Sequence, residues 1–132
     1  MAKKKRNQLK TARAKAWKAF SKYIRYRDDG QCFTCPVKKH PSEMHAGHFE
    51  HLGTTKLWLI SELDEININC QCVGCNTFNG GRLYDYGKKL ESIHGDDIVK
   101  RLRHEKEKMH KHSTKELEAY EQYYKERTKN YT

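Results

Sequence analysis

The chain has 132 residues, 36% of them hydrophobic and 33% charged, which supports one small domain with helical appendages and only a limited apolar core. Lys and Arg total 27 against 17 Asp and Glu, a formal net charge of +10. That balance favours a polyanionic partner, most commonly nucleic acid, with a solvated basic tail as the plain alternative. No run approaches the ~20 apolar residues of a membrane span, and the basic start lacks the apolar stretch of a secretory signal. Four of the five cysteines fall in CxxC pairs, a pattern that fits metal binding in a reducing, cytoplasmic setting better than disulfides.

Residues 1–10 are lysine-rich and read as a flexible basic arm; every charged residue before Asp28 is basic. From Thr11 a helical period begins, with Ala16, Trp17, Phe20 and Ile24 as the core-facing stripe. Lys15, Lys18, Lys22 and Arg25 lie mostly off that stripe. Lys3, Lys4, Lys5, Arg6, Lys10, Arg13, Lys18 and Lys22 are the candidate phosphate contacts. Gly30, after Asp28-Asp29, suits a left-handed helix end.

Cys32-x-x-Cys35 then makes a tight knuckle. A histidine-rich stretch enters a strand around residues 43–49. Gly53-Thr54-Thr55 signals a turn, and Ile66-Asn67-Ile68-Asn69 alternates like a half-buried strand. Cys72-x-x-Cys75 follows, and Asn76 to Asn79 begins a short helix closed by Gly80-Gly81. Leu83, Tyr86, Leu90 and Ile93 keep helical spacing up to Gly95. Asp96-Asp97 can cap a helix carrying Ile98, Val99, Leu102 and Met109. Ser113-x-x-Glu116 is a capping box that opens a last helix with Leu117, Tyr120 and Tyr124 on one face.

The two knuckles, 36 residues apart, offer four thiolates, the tetrahedral soft set that suits Zn2+ in a closed, structural site. Disulfides or unligated thiols are the alternatives. Cys70 fits neither CxxC and reads as a small buried thiol, with substitution for a lost ligand left open. Between and after the knuckles lie His40, His45, His48 and His51, then Asn67, Asn69, Asn76 and Asn79. His40 and His51 read as surface residues, and His94, His104, His110 and His112 as solvated ones.

A His-bearing strand, a return strand with Asn and a helix opening in Cys-Asn resemble the HNH nucleases, also called ββα-metal or His-Me finger nucleases. The two CxxC knuckles are similar to the endonuclease VII branch. A longer string resembles the phage NinG/Rap recombination family: AWKAFSKYIR from Ala16, Cys32-x-x-Cys35, Ala46-Gly47-His48-Phe49, Asn67-Ile68 and Gln71-Cys72-x-x-Cys75-Asn76. The resemblance implies an α+β fold, with a ββα-metal core stapled by zinc, a basic N-terminal helix and C-terminal helices. It also implies a nuclease domain over residues 11–95 and a helical extension over residues 96–132.

By the same resemblance, His48 is the catalytic base, Asn67 orients its ring, and Asn76 meets a catalytic Mg2+ or Mn2+. Gly47 stands where many relatives carry a metal-ligating side chain. His45, on the same strand face, could supply that ligand, and Asn79 occupies the place of a further one. The implied activity is hydrolysis of DNA phosphodiesters on branched recombination intermediates such as Holliday junctions or D-loops, in the bacterial host cytoplasm if phage-encoded. The alternative is a zinc-stapled, non-catalytic DNA-binding or scaffold protein with a decayed site. A homodimer joined through the tyrosine-rich last helix is one arrangement; packing of that helix on its own domain is the other.

Overall fold

The computed structural model describes residues 2–52 and 56–132. Its order is α1 (Ala2–Arg27), a 3-10 turn (Pro41–Glu43), β1 (His45–His48), α2 (Ser61–Asn67), β2 (Ile68–Gln71), a π-type turn (Gly74–Phe78), α3 (Leu83–His94), α4 (Ile98–Glu107), α5 (Thr114–Thr128) and a 3-10 end (Lys129–Tyr131). The class is α+β, mostly helical, with one two-stranded antiparallel sheet. Among the described residues, no helix is long and apolar enough to cross a membrane.

Helix α1 begins at Ala2 rather than Thr11, so residues 2–10 extend the helix instead of leaving it as a separate arm. Ala, Lys, Arg and Gln all favour helix, and neither Gly nor Pro interrupts the run. The helix ends in a Schellman turn: Gly30 N–H donates to Arg25 O at 3.1 Å and Asp29 N–H to Tyr26 O at 3.1 Å. Both Asp29 and Gly30 are left-handed. Only glycine fits at position 30, because a Cβ there would meet Lys39 O at 1.7 Å.

Small residues Ala12, Ala16 and Ala19 let α5 lie close along α1, and Phe20, Tyr23 and Ile24 pack with Leu117, Tyr120 and Tyr124. Phe20 meets Tyr124 edge-on, with ring centroids 4.7 Å apart. The predicted capping box at Ser113 and Glu116 is formed. Tyr120 and Tyr124 are therefore buried within their own domain, and only Tyr123 and Tyr131 stay about half exposed. A dimer contact through this helix would have to do without Tyr120 and Tyr124.

A second cluster joins Phe49, Trp58 and Leu63 to Tyr86 and Leu90 of α3 and to Ile98 and Leu102 of α4. Residues 96–132 thus share both cores with the rest of the chain. Met109, expected on α4, lies beyond its end and is exposed. Asp97 takes the cap position but makes no side-chain capping bond.

The element not anticipated is α2. The alternating stretch Ile66 to Asn69 straddles a boundary: Asn67 ends α2, and β2 starts only at Ile68. This helix acts as an acidic hub. Glu65 accepts from Tyr23 OH at 2.9 Å, Tyr124 OH at 2.9 Å and Arg127 Nη1 at 2.6 Å, and Asp64 accepts from Tyr120 OH. Those tertiary partners hold a helix of seven residues that is too short to persist alone. The turn expected at 53–55 lies outside the described residues.

β1 and β2 pair in a register that sets His45 opposite Gln71, Ala46 opposite Cys70, Gly47 opposite Asn69 and His48 opposite Ile68. Tyr86 of α3 clamps the pair from one side. Its hydroxyl donates to Gly47 O at 2.7 Å, lies 3.2 Å from Asn67 O, and accepts from Asn69 Nδ2 at 3.1 Å.

Candidate metal centre and histidine pocket

The Sγ atoms of Cys32, Cys35, Cys72 and Cys75 all lie within 4.8 Å of one another. Cys35 and Cys72 sulfurs stand 3.6 Å apart. A tetrahedral Zn2+ with bonds of about 2.3 Å separates its sulfurs by about 3.8 Å, so the cluster fits a structural metal such as zinc. Backbone geometry prepares it. Cys32 N–H donates to Val37 O at 2.9 Å, which closes the first knuckle, and Cys75 N–H points to Cys72 Sγ at 3.4 Å in the second. Cys70 stays outside the four. It is buried in β2, its N–H donates to Asp28 Oδ2 at 2.9 Å, and burial pushes its thiol up to about 12.

The second knuckle leads into the π-type turn that carries Asn76, while β1 carries His45 and His48. These three side chains line one pocket of about 540 Å3 with Trp17, Ser21 and Arg25 of α1, His51 and Lys56. A larger groove runs between α1 and α5, but neither histidine nor cysteine lines it, so the chemistry sits in the smaller pocket.

His48 is held from two sides. Trp17 stacks on its ring with centroids 4.8 Å apart at 20°, and its Nε2 lies 3.1 Å from Lys56 O. A carbonyl only accepts, so Nε2 carries the proton and Nδ1 keeps a free lone pair. Burial depresses the ring to about 4, with Lys56 and His51 adding smaller charge repulsions. The imidazole is neutral at pH 7. Because its folded value is lowered, the stability it contributes is complete above 6.5 and is lost as pH falls toward 4, where the unfolded chain takes the proton first. A carbon-13 NMR titration of the His48 ring in zinc-loaded protein should show no inflection near 6.5, the ordinary histidine value. An inflection there would contradict the partly buried, carbonyl-bound ring.

His45 and Asn76 are brought together, with Asn76 Nδ2 3.1 Å from His45 Nδ1. Other predicted site residues land differently. Asn67 grips the main chain rather than the imidazole: its Oδ1 accepts from Glu50 N–H at 2.8 Å and its Nδ2 donates to Glu50 O at 3.0 Å. It therefore fixes the chain two residues past His48. Asn79 does not join the pocket, because its Nδ2 donates to Gly74 O at 2.9 Å and ties off the turn.

Trp17, expected in the core stripe with Phe20 and Ile24, is only partly buried and belongs to the pocket wall. His51 is exposed, as expected, and its ring also stands 5.8 Å from that of His48. His110 and His112, expected to be solvated, are partly buried against Glu105 and Leu57 O. Lys56 was not anticipated at all, since it acts on His48 through its carbonyl, a group every residue carries.

The basic residues of α1 divide between two faces. Arg6, Lys10 and Arg13 line a groove that shares Trp17 and Lys56 with the histidine pocket. Lys18 and Lys22 face Lys125 and Lys129 elsewhere, and Lys3 and Lys4 line the groove against α5. Lys5 is exposed on the same helix.

A family model described as Bacteriophage Lambda NinG protein matches residues 1–132. No curated protein matches the chain, and no solved structure does.

Proposed function

The chain belongs to the NinG family of bacteriophage proteins, and from that premise we propose that it is a metal-dependent DNA endonuclease of the HNH type, acting on branched recombination intermediates. The observation that carries this reading is the pocket around His48, a neutral imidazole whose Nε2 is tied to a carbonyl and whose Nδ1 is left as a base. Two antiparallel strands followed by a helical turn bring His48, His45 and Asn76 to that pocket, which supports the ββα-metal reading.

In this reaction His48 Nδ1 takes a proton from a water molecule as its oxygen attacks phosphorus. The bond to the 3′ oxygen breaks, leaving 5′-phosphate and 3′-hydroxyl ends. Trp17 and Lys56 O hold the ring in place, and Asn67 fixes the strand exit through Glu50. Asn76, steadied by His45, would hold a hard divalent ion, Mg2+ or Mn2+, which supplies charge stabilisation at the phosphate and the departing oxygen when bound. Arg25 lines the pocket and is placed to pair with a phosphate. The adjoining groove of Arg6, Lys10 and Arg13 extends the positive surface along the DNA backbone.

The second reading, a zinc-stapled DNA-binding protein without catalysis, draws on one observation: none of the described residues lining the pocket is acidic. Cleavage of supercoiled plasmid, linear duplex and four-way-junction DNA by zinc-loaded protein with Mg2+ or Mn2+ decides between the two. Cutting favours the nuclease, and preference for the junction sets its substrate. If neither ion supports cutting by folded protein, the scaffold reading takes its place. Under either reading, replacing Arg6, Lys10 and Arg13 with Ala should reduce the slope of log binding constant against log salt by roughly 0.9 for each phosphate no longer neutralised. An unchanged slope would remove the groove from the DNA path.

A further inference from the structure

The space where Gly47 has no side chain is already filled. A Cβ at position 47 would meet Gln71 Oε1 at 1.8 Å and Asn76 Oδ1 at 3.0 Å. Gln71 is fully buried and lies directly across the ladder from His45, so it shares the sheet face of His45 and Gly47. Its Nε2 donates to Thr34 Oγ1 at 2.9 Å and to Gly81 O at 2.9 Å. Those two bonds anchor the carboxamide and fix the direction of Oε1, which has no hydrogen-bond partner among the described residues.

Asn76 meets the same spot. Its Nδ2 is turned to His45 Nδ1, which leaves Oδ1 aimed toward position 47. Two amide oxygens therefore converge, and the one buried deeper has no donor. Buried carbonyl oxygens are ordinarily satisfied, and the negative ends of two amide dipoles repel unless a positive group lies between them.

We propose that Gln71 Oε1 is a ligand of the hard divalent ion, reaching from β2 to replace the side chain that Gly47 lacks on β1. Asn76 Oδ1 is its companion ligand, and His45 orients Asn76 by accepting its N–H. This assignment rests on the nuclease reading, because it concerns the ion that reading requires. Neutral amide oxygens suit Mg2+ and Mn2+. The assignment also accounts for the glycine, since any larger residue at 47 would push Oε1 out of place. A ligand from position 47 and one from position 71 are alternatives for a single space.

The test uses the full, zinc-loaded chain titrated with Mn2+ alone, with the free-ion electron paramagnetic resonance signal as readout and thermal melting in parallel. Gln71→Ala should weaken Mn2+ binding by about tenfold or more, as loss of even an outer partner does at metal sites. The double variant Gly47→Asp with Gln71→Ala, in which the aspartate occupies the vacated space, should restore binding to the wild-type level or better. Wild-type binding that Gln71→Ala leaves unchanged overturns this inference and leaves the nuclease reading standing. Absence of any Mn2+ binding by wild type overturns this inference, and the cleavage assay then decides the nuclease reading separately. If Gln71→Ala fails to fold, Gln71→Glu carries the test: tighter Mn2+ binding supports the ligand role, and equal or weaker binding overturns it.

Discussion

Zinc-loaded protein carrying His48→Ala should cut DNA about 10²–10⁴-fold more slowly than wild type, the range for removing a positioned general base. The loss should fall on turnover and not on DNA binding, because a base acts when the proton moves and the pocket's cations remain. His48 is only partly buried, and the nearby cores are built from other residues, so circular dichroism and zinc content should match wild type. The pH profile adds a second check. With the ring held near 4, wild-type cutting should not fall on acidification through 6.5 for want of an unprotonated His48. Cutting that survives His48→Ala at the wild-type rate would sink the assignment of the base.

Removing zinc should have the largest effect on the fold. Chelation, or Cys72→Ser, should abolish cooperative melting, and adding back Zn2+ to the chelated wild type should restore it. Structural zinc contributes roughly 10–16 kcal/mol of apparent binding free energy at neutral pH, as much as the whole 5–15 kcal/mol stability of an ordinary domain. The third core cluster of this chain is the cysteines themselves with Met44, so stripped knuckles leave that part of the sheet without a core. Ala46 and Ile68 of the same sheet also pack against α1 and α5, and the damage should spread there. Cys70→Ala, by contrast, should keep one zinc per chain, because Cys70 lies outside the four-sulfur group. A metal-stripped chain that still melts cooperatively at the wild-type temperature would show that the cluster does not hold the fold.

The sequence by itself determined the features that are local along the chain. The spacing within each CxxC pair dictates a knuckle, and two such knuckles supply four thiolates, so the metal cluster could be read before any fold was known. The helical period and the capping box likewise determined the bodies of α1 and α5, because propensity and capping act within a few residues. Ala46-Gly47-His48 ending a strand was equally legible.

Tertiary structure decided everything that depends on which side a residue turns and what meets it there. Alternation at Ile66 to Asn69 looked like strand, but Glu65 and Asp64 are held by tyrosines of α1 and α5, and those contacts keep α2 helical up to Asn67. Trp17 packs at the edge of the core with Phe20, as its stripe implies, yet only the position of β1 decides that its ring also covers His48. Asn67 was legible as an asparagine near the site, while its grip on Glu50 follows from the path of a loop. Lys56 acts through a backbone carbonyl, and Gln71 through space left by a glycine on the neighbouring strand. Neither role is encoded by residue type at a fixed spacing: each is created only when two distant segments are packed to within hydrogen-bond distance.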